Sequence, residues 1–105
     1  MNMETNSNND LKNEISLVTG ASRGIGASIA DLFGQQGSKV IGTATSQKGA
    51  DKISKRFLDK EIEGHGIVLD VSQSSQISQS LKKLKEEDLM PSILINNAGI
   101  SLESL

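Results

Sequence analysis

Two hydrophobic periods take turns along this chain. Ile15–Thr19 (ISLVT), Lys39–Ala44 (KVIGTA), Gly66–Val71 (GIVLDV) and Ile93–Asn96 (ILIN) are short apolar runs containing β-branched residues. Each is too short for a helix and is bounded by glycine, proline or polar residues, so each predicts a strand. Between them the spacing changes. Ile25, Ile29 and Phe33, with Ala30 and Leu32 alongside, recur at helical intervals, and Gly37 predicts the stop. Ala50, Ile53, Phe57 and Leu58 mark a second helix over Gly49–Ile62, punctuated by Gly64, His65 and Gly66. Ile77, Leu81 and Leu84 mark a third, with Ser72 or Ser74 as its N-cap and Pro91 as its breaker. The order is β-α-β-α-β-α-β. Strands separated by helices require right-handed crossovers, hence an α/β fold with a doubly wound parallel sheet. The strand order expected is 3-2-1-4.

Composition narrows the function. The chain has 105 residues, one domain or part of one. Hydrophobic residues make up 35% and there are ten glycines, a globular composition. A net charge of -2 and a pI near 5.3 leave no basic surplus for a nucleic-acid partner. With no cysteine and one histidine, disulfides, thiol catalysis and Cys- or His-rich metal sites are excluded. No apolar stretch approaches the ~18 residues of a spanning helix, so no membrane role is expected. Residues 1–13 (MNMETNSNNDLKN) are polar, lack a signal-peptide pattern and read as a disordered tail before an ordered unit at 14–105. A reducing, cytoplasmic setting fits both the tail and the missing cysteines.

The first strand runs into Thr19-Gly20-Ala21-Ser22-Arg23-Gly24-Ile25-Gly26. A strand-to-helix turn this rich in glycine permits positive φ and close backbone approach. The helix behind it aims free N–H groups and its positive dipole end at the turn, which suits a diphosphate. The spacing is not G-x-G-x-x-G, because Ile29 stands where the third glycine would fall, and no Gly-Lys-Ser/Thr follows to make a P-loop. An NAD site places a carboxylate at the end of the second strand. Here that stretch is Gly42-Thr43-Ala44-Thr45-Ser46. Arg23 could instead clamp a 2′-phosphate, with Thr45 or Ser46 adding a hydroxyl, so NADP is favoured. The plain alternative for Arg23 is a solvated turn residue. Asp70, ending the third strand, could accept from the adenine amino group while the Val71 N–H donates to the ring. It could equally cap the next helix, and the two roles are compatible. Asn96-Asn97-Ala98-Gly99 ends the fourth strand across from the glycine turn. Its small residues allow approach to a ribose or nicotinamide, and a buried asparagine can tie neighbouring strands. His65 reads as a solvated loop residue, and Lys82–Asp88 (KKLKEED) as an exposed helix face and exit loop.

On Thr19–Gly26, Asp70-Val71 and Asn96–Gly99 the sequence resembles the short-chain dehydrogenase/reductase family. Val40–Ser46, Gly49-Ala50 and Ile53-Ser54 are similar to its bacterial members that reduce 3-oxoacyl groups held on acyl-carrier protein. The resemblance runs from about Glu14 to Ile100 and implies the N-terminal half of a Rossmann-type sheet, less than half of a family member. It implies NADPH as cofactor, held by Gly20, Ala21, Ser22, Arg23, Gly24, Ile25, Gly26, Thr45, Asp70, Val71, Asn97, Ala98 and Gly99, with Asn96 bracing the central strand. For the whole enzyme it implies an acyl-carrier-protein thioester substrate and a homo-tetramer. Pro91-Ser92 stands where the family commonly has an aspartate. The family also needs Ser, Tyr and Lys in a Tyr-x-x-x-Lys arrangement beyond Asn-Asn-Ala-Gly. This chain contains no tyrosine, so catalytic residues are expected to be none and the chain inactive alone. A non-catalytic NADP-binding module or a non-functional remnant are the competing readings.

Overall fold

In the computed structural model, which describes residues 10–70 and 72–97, seven elements alternate without exception. They are β1 (Ile15–Val18), α1 (Gly24–Gln35), β2 (Lys39–Ala44), α2 (Gln47–Asp59), β3 (Gly64–Val68), α3 (Ser74–Glu86) and β4 (Ile93–Ile95). All pairings are parallel and the strand order is β3-β2-β1-β4, the order expected from the sequence. Leu17 lies between Ile41 and Leu94, and Val18 between Gly42 and Ile95.

Period-2 alternation splits the strand residues between two cores. Val18, Val40 and Ala44 pack with Ala30 of α1 and with Ile53 and Phe57 of α2. Leu17 and Ile41 pack on the opposite face with Leu84 of α3, flanked by Ile67, Leu81 and Leu89. Thus α1 and α2 cover one face and α3 the other. The α2 helix lies close to the sheet because Gly42 and Gly66 stand side by side beneath it. A Cβ on Gly42 would come within 2.9 Å of Ile53, and one on Gly66 would collide with the Ala50 carbonyl. The Ser54 hydroxyl accepts the Gly66 N–H at 2.8 Å.

Element bounds differ from the sequence expectation chiefly in three places. The strand predicted over 66–71 begins two residues earlier and places His65 within β3. Its partner dictates this: β2 pairs Val40 with Gly64 and Ala44 with Val68, and after a last bond from Leu69 N–H to Ala44 O at 2.8 Å, β2 has no further residue to offer. The second helix runs Gln47–Asp59 instead of 49–62, since Ser46 caps it by accepting the Gly49 N–H at 3.1 Å. At α3 the N-cap is Gln73, with no side-chain bond, because the Ser72 hydroxyl is turned back onto Asp70 at 2.6 Å. Ile25, expected on the apolar stripe of α1, is 61% exposed; Gly26 and Ala30 face inward instead.

Candidate functional site

The glycine turn lies at the carboxyl end of the sheet, flanked by the ends of β2 and β4. Both neighbours fasten it. On the β2 side, Gly20 N–H donates to Thr43 Oγ1 at 3.2 Å and Ala21 N–H to Thr43 O at 2.8 Å. On the β4 side, Asn97 Nδ2 donates to Gly20 O at 3.2 Å. Thr19 continues the join, its N–H on Ile95 O at 3.0 Å and its hydroxyl on Asn96 Oδ1 at 3.1 Å. From α2, Arg56 Nη2 donates to Ala21 O at 2.9 Å.

Gly20 and Gly24 both adopt φ of 63°, the left-handed region that an L side chain enters at a cost. Gly26 is required for a different reason. A Cβ there would overlap the Gly20 carbonyl and come within 2.7 Å of Asn97 Nδ2. The glycine spacing is thereby explained: two positions bend the chain, and the third lets the first turn of α1 press against the turn.

Between the turn and the end of β2 is a cleft of about 400 Å³. Gly20, Ser22, Arg23, Gly24, Thr43, Ala44, Thr45, Leu69 and Asn97 line it. Six of the residues singled out from sequence therefore converge there: Gly20, Ser22, Arg23, Gly24, Thr45 and Asn97. Ala21 is buried beneath, Gly26 packs behind, and Ile25 opens the outer side of α1. Asp70 follows Leu69 at the edge of the cleft. Its carboxylate accepts from the Ser72 hydroxyl at 2.6 Å and from Ser72 N–H at 3.0 Å, and these bonds hold its pKa below the usual carboxylate value. Asp70 is not the N-cap of α3; it closes the turn ahead of it. Val71, Ala98 and Gly99 lie outside the described residues.

The residues present fit a nucleotide diphosphate. Arg23 occupies the N-cap position of α1 with no side-chain cap bond, so the first-turn N–H groups have no capping side chain. By contrast α2, one strand away, is capped by its own Ser46. A Cβ at Gly24 would meet nothing within 4 Å, so the backbone there is open to a ligand. Among the described residues Arg23 makes no ion pair, and no carboxylate is among those lining the cleft. Two site residues escape sequence reasoning. Thr43 is a polar residue within the buried run of β2, which is its one visible signal. Arg56 adjoins the apolar stripe of α2, but nothing local ties it to a turn 35 positions upstream.

Together these features define the N-terminal half of a Rossmann-like, doubly wound α/β protein. The family model described as short chain dehydrogenase matches residues 14–105, and the chain belongs to that family. It is 45% identical over 95 residues to the 3-oxoacyl-[acyl-carrier-protein] reductase FabG of Pseudomonas aeruginosa, covering 90% of this chain. It is 45% identical to the same-named protein of Escherichia coli and 46% to that of Vibrio harveyi, each over 96 residues and 91% of the chain. The chain spans 38% of the length of each of these three relatives.

Proposed function

We propose that the chain is the cofactor-binding part of an NADPH-dependent 3-oxoacyl-[acyl-carrier-protein] reductase, binding the nucleotide without doing chemistry by itself. Residues 14–105 are read as one NADP-binding unit. The observation that carries this is the cleft at the open N-terminus of α1, with Arg23 and Thr45 on its wall and no carboxylate to meet a ribose 2′-OH. Gly20–Gly26 hold the diphosphate, Arg23 and Thr45 the 2′-phosphate, and Asp70 with Val71 the adenine. Asn97 would lie along the cofactor ribose, and the family resemblance assigns Ala98 and Gly99 to the same cofactor. Bound NADPH would supply hydride chemistry. The chain's own residues bind and orient it, and with no tyrosine they hold no family-type proton donor. The reading extends to a cytoplasmic, homo-oligomeric whole enzyme, a tetramer, acting on acyl-carrier-protein thioesters. No helix among the described residues is long and apolar enough to cross a membrane.

Calorimetric titration with NADPH and NADH tests the reading. NADPH is expected to bind more tightly, and Arg23→Ala to weaken NADPH about tenfold, one charge-assisted contact, while leaving NADH unchanged. Equal binding of the two nucleotides, untouched by the substitution, would sink the NADP assignment. Oxidation of NADPH by this chain with an acetoacetyl thioester would overturn its inactivity.

A further inference from the structure

We infer that Arg56 is a positioning residue for the glycine turn: reaching across from α2, it fixes the Ala21 carbonyl and with it the Ala21–Ser22 peptide at the edge of the cleft. The guanidinium is held on three sides. Nε donates to Asp31 Oδ1 of α1 at 3.0 Å, Nη2 donates to Ala21 O at 2.9 Å, and Cζ lies 5.4 Å from the centre of the Phe57 ring. The side chains of Arg56 and Asp31 are 18% and 17% exposed, so the pair is largely shielded from water. Lys60 adds a second, longer contact to Asp31 at 3.8 Å.

Ala21 has no exposed surface, so its carbonyl has no water to turn to and Arg56 is the donor it meets. A charged donor in a shielded place makes a stronger bond than a neutral one. The peptide is planar and trans, so its C=O and N–H point opposite ways. Fixing the Ala21 carbonyl toward α2 therefore directs the Ser22 N–H away from α2. The Ala21 N–H is already held by Thr43 O. The residue is thus clamped at both polar groups from two elements, and the next residue, Ser22, lines the cleft. Lysine could not replace this arrangement, because a single ammonium lacks the planar fork that reaches a carboxylate and a carbonyl together.

The ligand in this inference rests on the nucleotide reading proposed above; the geometry does not. The test uses the ¹⁵N,¹³C-labelled chain. In the unsubstituted chain, a coupling through the hydrogen bond between Arg56 Nη and the Ala21 carbonyl carbon is expected. In Arg56→Lys, the hydrogen-bonded amides of Gly20 and Ala21 should exchange at least about tenfold faster while those of β3 hold, and NADPH should bind about tenfold more weakly, the loss of one charge-assisted bond. Asp31→Asn leaves the carbonyl contact and should shift both readings the same way by less. Unchanged exchange in the turn of Arg56→Lys overturns the inference, even where affinity falls, because Arg56 would then touch the ligand itself. If Arg56→Lys does not fold, the coupling in the unsubstituted chain and the Asp31→Asn exchange decide, and absence of the coupling overturns it. If the unsubstituted chain takes up no NADPH while coupling and exchange behave as stated, the nucleotide reading fails and the positioning role stands.

Discussion

Asp70 owes its acidity to one neighbour. Two hydrogen bonds from Ser72, the hydroxyl first and the backbone N–H second, favour the charged carboxylate and lower its pKa from the ordinary value. A folded-state pKa below the unfolded one contributes stability that is complete above the unfolded value. That stability is lost as pH falls through the lowered one. At neutral pH the group is ionised and acceptor-only, as the adenine role proposed for it would require. Carboxyl NMR titration should place the Asp70 midpoint below the ordinary aspartate range, and Ser72→Ala should move it upward; an unmoved midpoint would remove Ser72 as the cause. Residues of this kind differ in how far the sequence discloses them. Gly20, Gly24 and Gly26 are legible because a bend and a close approach each demand a missing Cβ. Asn96 and Asn97 are legible because they follow a strand that must neighbour the first. Arg56 is not: its partners Asp31 and Ala21 lie on other elements, and no periodicity joins them.

The three helices among the described residues stop the same way. In each, the residue two past the last helical one has positive φ: Gly37 at 102°, Glu61 at 58° and Asp88 at 61°. The following N–H reaches back five residues, Ser38 to Phe33 O at 3.1 Å, Ile62 to Phe57 O at 2.8 Å and Leu89 to Leu84 O at 2.7 Å. This is the Schellman pattern, and Ile62 and Leu89 supply its usual apolar contact. Glu61 and Asp88 are exposed L residues held in a conformation that costs them ~1–2 kcal/mol. Glu61→Gly and Asp88→Gly should each stabilise the chain by about 0.5–1 kcal/mol after glycine's extra unfolded-state entropy. Urea midpoints that fall instead would show that these side chains do more than tolerate the turn. The same pattern explains why helix ends were only partly readable. Glycine announces the stop of α1; glutamate and aspartate at the same place announce nothing, so the sequence carries the second helix on to Ile62. Strand starts are obscured similarly, since Gly64 and His65 look like punctuation until β2 pairs with them.

At the scale of the molecule, alternation makes the parallel pairing readable, and the doubly wound pattern, with helices on both faces, makes the strand order readable. The two faces are unequal. The α1/α2 face is filled by Phe57, Ile53 and their neighbours. The α3 face keeps an apolar cavity of about 170 Å³ bordered by Leu17, Ile67, Leu81 and Leu94. Leu94 is 63% exposed on β4, which among the described residues forms an edge of the sheet. An apolar edge strand recruits other strands. The chain should therefore associate as concentration rises, and Leu94→Lys should raise the concentration needed by about tenfold, as loss of one buried leucine implies. Sedimentation that shows equal association for both would acquit the edge. The pairing of β1 also sets an order of assembly. Ile15 finds Lys39 a short way down the chain, whereas Ser16 must wait for Ile93. Closing the longer loop costs more entropy, so β4 joins after β1, β2 and β3 have met. Asn97→Ala should then quicken unfolding severalfold and leave the refolding rate nearly unchanged, the kinetic signature of a late contact. On a ribosome the glycine turn would be bent and backed by β2 while its asparagine wall was still unmade, so the cleft would be completed only once β4 had docked.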